Sequence, residues 1–139
     1  MHPWVNGFYD NEVAIDHNVP TILFVYGSLK KGHKHHSMLG KDSVFIGKVE
    51  TEPDYLLYDT GPYPGMIQVK QGEGRAIEGE LYRLQPKQML ALDKRVPYQF
   101  KKREIRIRGI EVGRAKALTH IWDYSVDKFL DCGTSWPRT

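Results

Sequence analysis

One cysteine in 139 residues, Cys132, leaves nothing from which to build an internal disulfide framework, so the fold must be held by packing. That usage fits a reducing compartment, and the expected setting is the cytosol. No run of about 18 apolar residues occurs, which excludes a membrane-spanning helix from the expectation. The opening Met1-His2-Pro3-Trp4 segment lacks the charged and apolar regions of a secretory signal. Strong charge is missing too: 20 Lys and Arg stand against 17 Asp and Glu, a net of +3. Much of that excess lies in Lys101-Lys102-Arg103 with Arg106 and Arg108. A nucleic-acid binder carries a stronger basic stripe, interleaved with stacking aromatics. The cluster reads instead as a solvated strand face, and neither nucleic acid nor a membrane is the expected partner.

What is present is ordinary globular composition, 40% hydrophobic and 27% charged, at a length suited to one domain with a proper core. Residues 1–20 are polar and broken by Pro3, Gly7, Asn11, Asn18 and Pro20. They read as an irregular N-terminal extension, packed down through Trp4, Phe8 and Tyr9. The single domain is expected over 21–139.

Within it the pattern is mainly β. Ile22–Tyr26 is a continuous apolar run, as in a strand buried on both faces. A helical turn is expected within 33–39. Further strands are expected at Ser43–Val49, Tyr55–Tyr58, Met66–Lys70 and Ala76–Leu84. Gly79 inside the last of these signals a bulge or a close backbone approach. Pro86 suits the first turn of a helix running to Asp93, which Pro97 ends. Arg103–Ile110 alternates, with Ile105 and Ile107 on one face and Glu104, Arg106 and Arg108 on the other. Ala115–Tyr124 is the last clear strand, and Asp127–Leu130 is expected as a short helix. Many short strands with one or two helices indicate an α+β domain built as a small mixed β-barrel.

Tyr26-Gly27-Ser28-Leu29 follows the first strand and opens a basic, His-rich loop. Glycine allows a sharp turn with no Cβ to block a ligand, and successive N–H groups in such a turn form an anion-binding nest. Further on come Tyr58-Asp59 with Gly61-Pro62-Tyr63-Pro64, then Gly79-Glu80-Leu81-Tyr82 and Leu92-Asp93. Phe100 to Arg103 and Trp122-Asp123-Tyr124 follow. This ordered set, over about residues 22–125, resembles the gamma-glutamylcyclotransferase-like family that includes the AIG2-like proteins. The Gly133-Thr134-Ser135-Trp136 tail looks like small stand-alone bacterial members.

The resemblance implies a mixed barrel whose pocket floor is the Tyr26–Leu29 loop, with Tyr82 and Tyr124 lining the site. Family enzymes cut a γ-glutamyl group from its amine: the α-amine attacks the side-chain amide carbonyl and closes the ring of 5-oxoproline. That chemistry needs a carboxylate base, oxyanion donors and a grip on the substrate's α-carboxylate. The family's base is a glutamate in Leu-Asp-x-x-Glu-Gly. Here the chain reads Leu92-Asp93-Lys94-Arg95-Val96-Pro97, with Val96 in the glutamate position. A short deletion does not restore the acid, since residues 94–103 contain none.

Of the other acids, Asp93 reads as a helix-end group, Glu104 as an ion-pairing strand residue and Asp59 as a turn acid. Glu80 is the remaining candidate for a displaced base. His33, His35 and His36 share one loop without a spaced partner, so they read as a solvated basic loop and not as a metal site. Cys132 has no nearby histidine to activate it. The expected function is binding of a small amino-acid-like or anionic ligand above Tyr26–Leu29, with no metal and no cofactor. Two alternatives stand beside it: an active cyclotransferase using Glu80, and a basic-face module for nucleic acid or protein. Oligomeric state is left open.

Overall fold

Strand β1 (Thr21–Val25) is buried on both sides, which accounts for its unbroken apolar run. In the computed structural model, which describes residues 19–137, its side chains alternate between two apolar clusters. Phe24 joins Leu57, Ile77, Leu81 and Ile107 in one, while Leu23 and Val25 join Leu39, Met89 and Leu92 in the other. The expected N-terminal extension, with Trp4, Phe8 and Tyr9, lies outside the described residues except for its last two.

Seven more strands follow: β2 (Val44–Thr51), β3 (Tyr55–Asp59), β4 (Pro64–Gln68), β5 (Glu78–Leu84), β6 (Phe100–Gly109), β7 (Gly113–Trp122) and β8 (Leu130–Gly133). A closed barrel runs β1-β5-β2-β6-β7, and a second sheet runs β4-β3-β8. The barrel closes through a parallel contact of β1 with β7 at Leu23 and Leu118, its other pairings being antiparallel. Closure leaves the barrel no open sheet edge. The α+β mixed barrel expected from the pattern is the observed architecture. Among the described residues, no helix is long and apolar enough to cross a membrane.

Helix α1 (Pro86–Asp93) starts where the sequence places it. Proline at its first position has no N–H to leave unpaired, and the Gln85 N–H donates to Gln88 Oε1 at 3.1 Å. Met89 and Leu92 are its buried face, packed against β1. A 3₁₀ turn (His36–Leu39) adds Leu39 to the same cluster.

Of the two readings expected of Gly79, the close approach holds: a Cβ there would collide with the Val25 carbonyl and the Phe24 ring, where β5 runs against β1. The register break lies in β2, between Phe45 and Gly47. One expectation changes. Asp127–Leu130 is not helical: Phe129 N–H closes a turn on Val126 O, and the chain enters β8, antiparallel to β3. Pairing with β3 decides this, and Arg75 adds a contact to both carboxylate oxygens of Asp131 at 3.0 and 2.8 Å.

Candidate active site

The loop after β1 is tied down by its own side chains. Buried Tyr26 donates its hydroxyl hydrogen to the His120 carbonyl at 2.6 Å and accepts the Met66 N–H at 3.2 Å. Gly27 is buried against Pro64, whose Cγ and Cδ occupy the space a Cβ would need. Glycine is therefore required here by the proline contact rather than by a positive φ. Ser28 Oγ lies 2.9 Å from His35 Nδ1, and His36 Nδ1 lies 2.8 Å from the Leu29 carbonyl. The His33 ring packs against Trp136 at 5.6 Å. These half-buried histidines brace the loop, where the sequence suggested a solvated one.

Above the loop is a cavity of about 290 Å³. Gly27, Ser28 and Leu29 line its floor, and Met38, Leu92, Val96 and Phe100 contribute apolar walls. The N–H groups of these three floor residues have no acceptor among the described residues. Arg95, His35 and His120 supply the wall's nitrogen-bearing side chains. No Asp or Glu lines the cavity among the described residues. Val96 is half-buried and packs on the β1–α1 cluster.

Just behind the wall is an acid. Asp93, at the end of α1, accepts from Lys102 Nζ at 2.7 Å through Oδ2, and its Oδ1 lies 3.8 Å from His120 Nε2. Lys102 and His120 are directly opposed across β6 and β7, so the strand register delivers both to one carboxylate. Burial pushes the Asp93 carboxyl up, but His120 and Lys102 together outweigh it and hold the group below its ordinary value. His120 is 8% exposed, and its Nε2 has no hydrogen-bond partner.

The remaining sequence candidates lie elsewhere. Glu80 Oε1 accepts from the Lys31 N–H and the Tyr82 hydroxyl, both at 2.9 Å, and Glu80 lines a separate groove with Lys30, Glu50 and Arg108. Tyr82 is buried between His36 and Phe45, and half-exposed Tyr124 stands edge-on to Tyr98. None of the three is among the residues lining the cavity above the loop. Arg108 on the basic strand pairs with Glu50 at 2.9 Å and Glu52 at 3.6 Å. Sequence reasoning did not single out Arg95 or His120. The available signal for His120 was a histidine inside the apolar strand Ala117-Leu118-Thr119-His120-Ile121-Trp122.

Fold and site together define a small closed-barrel domain with a ligand-sized cavity over a Tyr-Gly-Ser-Leu loop. The chain belongs to the gamma-glutamyl cyclotransferase, AIG2-like family, whose model matches residues 23–137. It is 35% identical over 83 residues to a Vibrio cholerae protein named "Putative gamma-glutamylcyclotransferase", covering 58% of this chain and 68% of that one. A Methanocaldococcus jannaschii protein of the same description is 38% identical over 72 residues, 51% of this chain and 57% of that one. Among solved structures, c4763, a uropathogenic E. coli-specific protein, superposes with a TM-score of 0.73 at 23% identity, covering 85% of this chain and 93% of that chain. An AIG2-like protein from Mus musculus gives 0.70 at 19% identity, with 85% and 88% covered. At those identities, the two structures speak for the fold.

Proposed function

We propose that the cavity above Tyr26–Leu29 binds a small γ-glutamyl or similar amino-acid-like compound through its carboxylate, in a cytoplasmic setting. One observation carries this reading: the unengaged N–H groups of Gly27, Ser28 and Leu29 share a cavity with Arg95 and with no acid among the described residues. Converging backbone N–H groups favour an anion, and a guanidinium holds a carboxylate with two parallel hydrogen bonds. Family membership supports the γ-glutamyl class.

Thermal unfolding with added 5-oxoproline and γ-glutamyl dipeptides tests it. A ligand that binds only the folded state raises the melting temperature, and the shift keeps growing with the logarithm of ligand concentration above Kd. The wild type is expected to shift with both, and Arg95→Gln to shift less. Absence of any shift at millimolar ligand would reject the reading.

A further inference from the structure

We propose that His120, backed by Asp93, is the proton acceptor of this cavity, taking the place of the carboxylate base in the family's cyclising cleavage of a γ-glutamyl amide. The inference rests on the ligand reading above.

Val96 offers no proton acceptor, and no carboxylate lines the cavity among the described residues. Two imidazoles do, and they differ. His35 Nδ1 is committed to Ser28 Oγ at 2.9 Å. The His120 ring, edge-on to Phe100 at 6.5 Å, lines the cavity while its Nε2 faces the Asp93 carboxylate without a hydrogen bond. An apolar side chain would avoid the penalty of a buried ring nitrogen left unpaired, so this one calls for a reason.

The arrangement is that of an imidazole facing a carboxylate, with Nε2 to Oδ1 at 3.8 Å, longer than a hydrogen bond and of the kind that tightens when a substrate is bound. Asp93 on the Nε2 side stabilises the imidazolium that forms and leaves Nδ1 to serve the ligand. Lys102 fixes the carboxylate from its other oxygen. Tyr26 fixes the backbone of His120 through its carbonyl.

In the reaction, the substrate's neutral α-amine attacks the side-chain amide carbonyl. As the new C–N bond forms, the amine's surplus proton passes to His120. The oxyanion meets the N–H groups of Gly27, Ser28 and Leu29. Collapse breaks the original amide C–N bond, and His120 returns its proton to the departing amine. The products are 5-oxoproline and the free amine, with one proton taken and one returned. No water, oxidant or cofactor enters the balance.

The experiment measures 5-oxoproline and amine release from a γ-glutamyl dipeptide or γ-glutamyl-lysine, with 5-oxoproline binding followed by calorimetry on the same samples. Wild type is expected to turn over. His120→Gln should lower kcat roughly 100-fold or more, the range of a lost general base, and still bind 5-oxoproline. Asp93 is a positioning residue, so Asp93→Asn should lower kcat about tenfold and leave KM unchanged. Turnover retained in His120→Gln overturns the proposal, as does a wild type that binds 5-oxoproline without turning substrate over. A wild type that does not bind at all rejects the ligand reading itself. If His120→Gln fails to fold, Asp93→Asn decides: an unchanged kcat overturns the role of the pair.

Discussion

The Tyr26 hydroxyl and the His120 carbonyl are 2.6 Å apart, a buried bond between residues 94 positions apart in the chain. The same oxygen receives the Met66 N–H, so one phenol joins the end of β1 to β7 in the barrel and to β4 in the smaller sheet. The first residue of the Tyr-Gly-Ser-Leu motif is thus a rivet. It holds in place the backbone from which the cavity's most buried imidazole projects.

Tyr26→Phe keeps the ring and removes the rivet. The His120 carbonyl and the Met66 N–H then lose their common partner in a buried site. Unsatisfied buried groups cost about 1–3 kcal/mol each, and partial relaxation should leave a net loss near 2 kcal/mol. Urea denaturation checks this; a loss below about 0.5 kcal/mol, the scale of an ordinary surface change, would show that the bonds carry no stability.

The same phenol shapes the alkaline limb. Burial pushes Tyr26 well above its ordinary value, with the Met66 hydrogen bond opposing only in part. Tyr55 is pushed up to about 12, by burial first and then by the charges of Asp54 and Glu52. In the unfolded chain these phenols ionise near pH ~10. Their contribution is complete below that value and is lost as pH rises toward the folded values, because the unfolded state sheds protons first. Urea midpoints should hold steady to about pH 9 and fall beyond about pH 10. Tyr26→Phe should fall less steeply, and an identical slope would contradict the assignment.

How much of this was legible beforehand depended on distance along the chain. The alternation of Ile105 and Ile107 with Arg106 and Arg108 gave the faces of β6, and Pro86 placed the start of α1, because local pattern determines both. The local pattern of Asp127–Leu130 suggests a helix that does not form, because the chain there leads into β8, which exists only through β3, more than 70 residues earlier, and no periodicity records such a pairing. The site divides the same way. Its floor is contiguous and could be read directly. Its acid–imidazole pair needs the register of β6 on β7 to bring Lys102 and His120 to Asp93, so each residue looked ordinary alone. Gly27 was picked out as a turn glycine, but its requirement comes from Pro64, which lies 37 positions further on.

That requirement is testable. A methyl group at position 27 would overlap the Pro64 ring, which is held by its own backbone and cannot swing aside as a flexible side chain would. Relief demands movement of β4 or of the loop. Gly27→Ala should therefore destabilise by about 1–3 kcal/mol, the usual range for overpacking, and weaken binding of 5-oxoproline because Pro64 also lines the cavity. Unchanged denaturation and binding would show that the contact yields freely.

Asp93→Asn separates the carboxylate's structural role from its proposed chemical one. Burial raises the Asp93 carboxyl, while His120 and Lys102 lower it further than burial raises it, so the folded group sits below its unfolded value. A depressed carboxyl contributes stability above the unfolded value, near pH ~3.9, and loses it as pH falls through the folded one. Wild type should accordingly exceed Asp93→Asn in stability at neutral pH. That gap should narrow as pH falls below the unfolded value and close once the carboxyl is protonated in both states. Lys102 Nζ, 2.7 Å away and itself only 21% exposed, makes the neutral-pH gap larger than that of a solvated ion pair. Paired denaturation curves from about pH 2.5 to 7 read the gap directly. A gap that persists unchanged at the acid end would mean that the asparagine disturbs packing at the end of α1, and that the charge on Asp93 is not what holds Lys102 and His120 together.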